Sequence, residues 1–316
     1  MNDTSIQKRA AWAAFQNCKF ASNDYAGPVT QIFSQQFRTL DGLTLVGDVG
    51  GSPNAQAVIL LHGGGQTRHS WAEAMRRLIE RGYFVVNYDA RGHGDSEWSA
   101  EGDYSLNALA SDLRAVRSTI ARPVALVGAS MGGMTSFYAL GCADHRFADA
   151  LVMVDIALRP AAAGVEKIRR FMTGHTAGFA NLGEASDAVA AYNRDRPRPS
   201  DPSGLMKNLR LREDGRLYWH WDPRMLDQRP VPEPPTFTNE LERVSNRVTV
   251  PTLLVRGGRS DIVDDAGVAE MQRLVPQMDV FEVPGAGHMV AGDRNDAFNA
   301  GVLAFLADHH PVNGKS

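Results

Sequence analysis

Cysteine is scarce in this 316-residue sequence, with only Cys18 and Cys142 present. Two thiols cannot make a disulfide framework, and their scarcity fits a reducing compartment. Positive charge is not in excess either: 33 Lys and Arg stand against 36 Asp and Glu, a formal charge of −3. Binding along a phosphate backbone needs such an excess, so nucleic acid is not an expected partner. Long apolar runs are missing. The longest aliphatic stretches, such as Ala57 to Leu61, fall far short of the ~18 residues that mark a spanning helix. Near the start, Lys8 and Arg9 precede a short apolar stretch, Ala10 to Phe15, which Gln16 and Asn17 interrupt. That stretch is too short for a secretion signal, so a cytoplasmic location without membrane contact is expected. No His-Glu-x-x-His, cysteine pair or dinucleotide fingerprint occurs, so neither a metal nor a cofactor is implied. The closing Gly314-Lys315-Ser316 has His309 where a phosphate-binding loop needs its first glycine, and no helix follows.

What is present is ordinary globular composition, 43% apolar and 22% charged, in a pattern that alternates strands with helices. Residues 1–30 have no clear period and read as an N-terminal extension. Gln35 to Thr39 and Leu43 to Val49 flank Asp41-Gly42, a pair that supplies the positive φ angles of a tight hairpin. Strands are expected at Ala57–Leu61, Tyr83–Tyr88, Val124–Val127, Ala150–Val154, Thr252–Arg256 and Asp279–Val283. Helices are expected at Ser70–Arg81 with Ser70 as N-cap, at Ser105–Ile120, at Met131–Leu140, at Asp265–Val275 and at Asp296–Leu306. In the second of these, Leu106, Leu109, Leu113, Val116 and Ile120 recur at steps of three and four. Apolar strands alternating with helices mean a parallel sheet covered on both faces. The alternation stops between 157 and 246, a stretch rich in Pro and Arg and without strand signals. It reads as an inserted, mainly helical lid, since a structureless loop of that length would be improbable in a compact domain. The core is then 31–156 and 247–316.

The sharpest chemical signal is Gly128-Ala129-Ser130-Met131-Gly132, placed between a strand and a helix. Glycines around a sharp strand-to-helix turn leave a serine strained and exposed, which suits a nucleophile. A serine hydroxyl needs a base, and the base needs an orienting carboxylate. His288 is the candidate base: it sits in Pro284-Gly285-Ala286-Gly287-His288, a glycine-rich loop at a strand end rather than on an apolar helix face. Asp261, after the Thr252–Arg256 strand, is the preferred acid. Asp155, at the end of the preceding strand, is the alternative, while Asp264 and Asp265 read better as helix N-terminal acids. His62-Gly63-Gly64-Gly65-Gln66 follows the first buried strand. There the Gly64 amide, with that of Met131, is the candidate oxyanion hole, and His62 reads as structural. Gly65 beside it, and Trp219, His220 and Trp221 in the lid, are candidate pocket residues. For the two tryptophans, a substrate roof and an anchor of lid to body are equally good readings.

Together with Asp89-Ala90-Arg91-Gly92-His93-Gly94-Asp95-Ser96, and with Gly287-His288-Met289 near Asp293, this set resembles the α/β-hydrolase superfamily. Within it the set is most similar to the branch of epoxide hydrolases and cofactor-free haloperoxidases. The resemblance spans about 35–156 and 247–310 and leaves the lid outside. It implies an α/β-hydrolase fold: a mostly parallel eight-stranded sheet with helices on both faces and an inserted lid. It also implies Ser130, Asp261 and His288 as nucleophile, acid and base. One departure matters. Epoxide hydrolases and haloalkane dehalogenases carry an aspartate at the elbow, where this chain has Ser130. A serine suits attack on a carbonyl rather than on a saturated carbon. The expected activity is hydrolysis of a small-molecule carboxylic ester or lactone. The same triad could instead serve C–C bond hydrolysis or perhydrolysis, and a non-enzymatic small-ligand receptor is a third reading, against which the full set of five groups speaks.

Overall fold

The computed structural model describes residues 31–193, 198–227, 235–288, 290 and 295–312. The expected N-terminal extension, Met289 and Asp293 of the histidine loop, and the terminal Gly314-Lys315-Ser316 lie outside these residues.

The chain opens with a hairpin, β1 (Ile32–Arg38) and β2 (Thr44–Gly50). Gly42 takes a φ of 89° in its turn, which Asp-Gly was expected to supply. β3 (Ala57–Leu61) and β4 (Phe84–Tyr88) are buried along their whole length, as are β5 (Val124–Ala129), apart from its last residue, and β6 (Ala150–Val154). Between them run α1 (Ala72–Glu80), α2 (Leu106–Ser118) and α3 (Met131–Gly141). Ser105 caps α2 by accepting from the Ala108 N–H at 3.2 Å. Ser70 does not cap α1. A 3-10 turn, Arg68–Trp71, precedes that helix instead, and Ser70 lies inside the turn with its own N–H on the Thr67 carbonyl.

After β6 come α4 (Ala162–Thr173), α5 (Leu182–Tyr192), a 3-10 segment, a two-stranded hairpin of β7 (Leu209–Leu211) and β8 (Leu217–Trp219), and a helical turn at Arg224–Asp227. These elements gather around their own apolar cluster of Met172, Phe179, Ala185, Leu209, Leu217, Trp219 and Trp221. The hairpin differs from the strandless lid expected here. α6 (Pro235–Ser245) differs too: it was expected in the lid, but Leu241 and Val244 pack into the main core against α3. The two helices approach so closely that a Cβ on Gly141 would lie 2.6 Å from that of Val244. β9 (Thr252–Gly257), α7 (Asp265–Leu274), β10 (Met278–Val283) and α8 (Asn295–His309) complete the fold. Asp264 caps α7, accepting from the Gly267 N–H at 2.7 Å.

The eight long strands form one sheet in the order β1-β2-β4-β3-β5-β6-β9-β10. Every pair from β4 to β10 is parallel, and β2 is antiparallel to both of its neighbours. Side chains alternate between the faces. Ile59 joins the cluster under α2, α3, α6 and α7, while Val58 and Leu60 join the one under α1 and α8. Each such fully buried aliphatic side chain contributes ~1.5–3 kcal/mol relative to exposure. Two dry faces hold the strand ends rigid. The loops after β3, β4, β5, β6, β9 and β10 all leave from the carboxyl edge, where open α/β sheets place their sites.

Candidate active site

Ser130 follows β5 directly and has φ 46° and ψ −113°. A side-chain-bearing residue adopts this conformation only when its surroundings impose it, at a cost of ~1–3 kcal/mol. Here the imposition is visible. The Ser130 N–H donates to the Val154 carbonyl at 3.0 Å, and its carbonyl receives the Met134 N–H at 3.0 Å. A Cβ on Gly128 would meet the Gly132 backbone at 2.4 Å, and one on Gly132 would meet the Leu61 carbonyl oxygen at the same distance. Only glycines let β3, β5 and α3 close around the turn.

His288 stands after β10, and its Nδ1 lies 2.9 Å from Oδ2 of Asp155. Asp155 directly follows β6, is fully buried, and has a φ of 48°. Its Oδ1 accepts the Gly257 N–H at 2.8 Å, and its Oδ2 also accepts the Ser260 hydroxyl at 2.6 Å. Such partners offset the desolvation that burial imposes on a carboxylate. With Oδ2 accepting, Nδ1 of His288 carries the hydrogen and Nε2 is left with its lone pair.

Asp261, the preferred acid from the sequence, is not the partner of His288. Its carboxylate is 41% exposed and pairs with Lys167 of α4 at 2.7 Å. The turn after β9 explains the difference. Ser260 Oγ accepts the N–H groups of Ile262 and Val263 at 3.1 and 3.0 Å while donating to Asp155. Ser260 therefore points into the site and its neighbour Asp261 points out toward α4. Ser260 was missed from the sequence, where a serine in Gly-Gly-Arg-Ser-Asp carries no signal of its own.

Ser130, His288, Gly64 and Met131 line one cavity of about 1330 Å³. Met131 is the first residue of α3, so its N–H has no intrahelical acceptor. Among the described residues the Gly64 N–H has no partner either, whereas its neighbours are occupied: Gly63 N–H by Gln66 Oε1 at 3.0 Å and Gly65 N–H by His93 Nε2 at 3.0 Å. Gly65, Trp219 and Trp221 also line this cavity. His220 does not. It is 1% exposed and directly follows β8, with its ring on the Gly94 N–H and the Gly65 carbonyl. Burial and the neighbouring His62 push its pKa down to about 3. His62 is likewise buried, and desolvation lowers its pKa, as befits the structural part expected of it.

The Asp89–Ser96 motif proves to be a scaffold. Asp89 Oδ1 accepts the Arg68 N–H at 2.7 Å, Oδ2 accepts the Asp95 N–H at 3.0 Å, and the Arg68 guanidinium lies against the same carboxylate. Arg91 is buried in a two-pronged pair with Asp112, at 2.7 and 2.6 Å. Among the described residues, no three His, Cys, Asp or Glu side chains gather where they could hold a metal ion. Nor is any helix among them long and apolar enough to cross a membrane.

The alpha/beta hydrolase fold model matches residues 56–294. The chain belongs to the α/β-hydrolase family and is a hydrolase. It is 29% identical to the sn-1-specific diacylglycerol lipase ABHD11 of Mus musculus over 268 residues, 81% of this chain and 83% of that protein. It is also 29% identical to Esterase Rv0045c of Mycobacterium tuberculosis over 276 residues, 85% of this chain and 86% of that one. Among solved structures, that of E-2-(acetamidomethylene)succinate hydrolase superposes with a TM-score of 0.76 at 23% identity, covering 87% of this chain and 99% of that one. At that identity the likeness speaks for the fold alone.

Proposed function

We propose that the protein is a serine hydrolase of carboxylic esters, with Ser130 as nucleophile, His288 as base and Asp155 as the orienting acid. The observation that carries this reading is the contact of half-buried His288 with fully buried Asp155, which holds an imidazole lone pair in the cavity that Ser130 also lines. Ser130 Oγ attacks the ester carbonyl while His288 Nε2 takes its proton. The oxygen that becomes negative is received by the N–H groups of Gly64 and Met131, each such donor being worth ~2.7–4 kcal/mol. His288 then protonates the departing alcohol, leaving an acyl group on Ser130. A water molecule, deprotonated by the same imidazole, attacks the acyl carbon and releases the acid. Two relatives named as an esterase and a lipase, both covered over most of their length, support ester chemistry. The cavity fits an apolar acyl group, since Met131, Met172, Phe171, Trp219 and Trp221 are among its walls. A fluorophosphonate, which phosphonylates an activated serine, is expected to label Ser130 in the intact protein and to abolish turnover of p-nitrophenyl butyrate. Label on another residue, or full turnover after Ser130 is blocked, would overturn the assignment.

In this reading residues 157–193 and 198–227 supply the roof. Trp219 and Trp221 stack with ring centroids 4.8 Å apart, face the cavity, and belong to the apolar cluster of the lid. They therefore serve as roof and anchor together. Trp221→Ala should destabilise by ~3–5 kcal/mol, the usual cost of truncating a buried aromatic. It should also shift the ratio of kcat/KM for p-nitrophenyl butyrate and laurate by about tenfold, as a changed hydrophobic wall does. A lowered melting temperature with an unchanged ratio would leave Trp221 an anchor and no roof.

A further inference from the structure

We propose that His220 is a positioning residue for the oxyanion hole: with His93 it clamps the backbone of Gly65, His93 on its N–H and His220 on its carbonyl, and so aims the Gly64 N–H into the cavity. The inference rests on the serine-hydrolase reading above. Three buried imidazoles surround the loop after β3, and backbone donors fix the tautomer of each. A peptide N–H can only donate, so the ring nitrogen that receives it carries no hydrogen. The Ala90 N–H donates to His62 Nε2 at 2.9 Å, so His62 Nδ1 holds the hydrogen and donates to the Gly63 carbonyl at 2.8 Å. The Gly65 N–H donates to His93 Nε2 at 3.0 Å, and His93 Nδ1 donates to the Arg91 carbonyl at 3.2 Å. The Gly94 N–H donates to His220 Nδ1 at 2.7 Å, and His220 Nε2 donates to the Gly65 carbonyl at 3.3 Å.

The effect falls on a loop that needs it. Three consecutive glycines have little conformational preference, yet an oxyanion donor works only when held in place before the reaction. Gly65 sits at φ 73°, and both polar groups of its backbone are gripped by imidazoles. Gly63 has its carbonyl on His62 and its N–H on Gln66. Of the three glycine N–H groups only that of Gly64 remains without a partner among the described residues.

His220 also ties this loop to the lid. It follows β8, and its own N–H donates to the Asn208 carbonyl at 3.1 Å. Arg210 of β7 donates to the Gly94 carbonyl at 2.8 Å and to Asp95 at 2.8 Å. The hairpin thus grips Gly94 on its N–H through His220 and on its carbonyl through Arg210. Seating the hairpin and ordering the oxyanion loop are one event, because the same imidazole spans Gly94 and Gly65.

The test compares His220→Asn with His220→Gln. An asparagine places its amide oxygen where Nδ1 stood, keeps the Gly94 contact, and is too short for Gly65. A glutamine places its amide nitrogen where Nε2 stood and keeps the Gly65 contact. For p-nitrophenyl butyrate, His220→Asn is expected to lower kcat about tenfold, the effect of roughly one hydrogen bond, with KM within twofold. Its affinity for phenylboronic acid, which forms a tetrahedral anion on Ser130, should fall in parallel, and His220→Gln should restore most of both. Equal losses in the two variants, an unchanged kcat in His220→Asn, or a loss confined to KM would each overturn the clamp. If neither variant folds, His93→Asn and His93→Gln carry the same decision, since only glutamine can return an acceptor to the Nε2 position facing Gly65. Absence of Ser130-dependent turnover in the unaltered protein would overturn the hydrolase reading and the clamp with it. Ser130-dependent turnover with indistinguishable Asn and Gln variants overturns the clamp alone.

Discussion

Asp155→Asn is expected to lower kcat by about 10⁴, the loss seen when a triad carboxylate becomes an amide, whereas Asp261→Asn is expected to leave kcat unchanged. The reasoning follows from atoms. Oδ1 of Asp155 holds the Gly257 N–H, and Oδ2 faces His288 Nδ1. The amide of an asparagine would keep its oxygen on Gly257 and turn its nitrogen toward the imidazole. An N–H donor there demands a bare Nδ1, which moves the ring hydrogen to Nε2. The imidazole would then present a hydrogen to Ser130 where a lone pair is required. The geometry survives and the chemistry does not. Asp261→Asn removes only a pair with Lys167 in which both partners are about half exposed, and such pairs contribute ~0–1 kcal/mol. Measuring kcat and the thermal midpoint on both variants decides the matter. A crippled Asp261→Asn with a mild Asp155→Asn would reverse the assignment.

This contrast marks where the sequence stops being legible. Local physics wrote the elements plainly. The apolar run of β3, the three-and-four spacing of α2 and the Asp-Gly turn of the first hairpin each depend on near neighbours, and each is found in its expected place. The glycines around Ser130 were readable because a strained turn tolerates little else. Which aspartate faces His288 was not readable. Asp155 and Asp261 both follow a strand between serine and histidine in chain order, and only the turn after β9 decides which residue faces inward. That turn points Ser260 at Asp155 and turns Asp261 outward to Lys167, a difference of one residue that no period reveals. The β7–β8 hairpin escaped because three-residue strands are too short to show alternation. Asp214-Gly215 between Leu209–Leu211 and Leu217–Trp219 was the available signal, and Gly215 does take a φ of 75°. His220 was expected in the pocket by virtue of its tryptophan neighbours. Its real partners, Gly94 and Gly65, lie 126 and 155 residues away, a distance over which a single sequence carries no pattern.

The largest losses are expected from Ser130→Ala and His288→Ala, each lowering kcat by about 10⁶, as for nucleophile and base in a comparable triad. The double variant is expected to be no worse than either single one. The two side chains act as a unit: without the hydroxyl there is no proton for the imidazole to take, and without the imidazole the hydroxyl remains a poor nucleophile. Neither change should unfold the protein. The elbow is held by the Ser130 backbone on Val154 and Met134, which alanine retains. In His288→Ala, Asp155 keeps the Gly257 N–H and the Ser260 hydroxyl. What remains in every variant is the pair of Gly64 and Met131 N–H groups, with the cavity around them. A residual rate above that of water alone is therefore expected, ~10³–10⁴-fold where binding and an oxyanion hole persist. Adding Gly64→Pro, which removes the amide hydrogen, should abolish most of that residue in the Ser130→Ala background. If the Ser130 and His288 losses instead multiplied in the double variant, the two residues would be working independently, and the proposed proton transfer between them would be wrong.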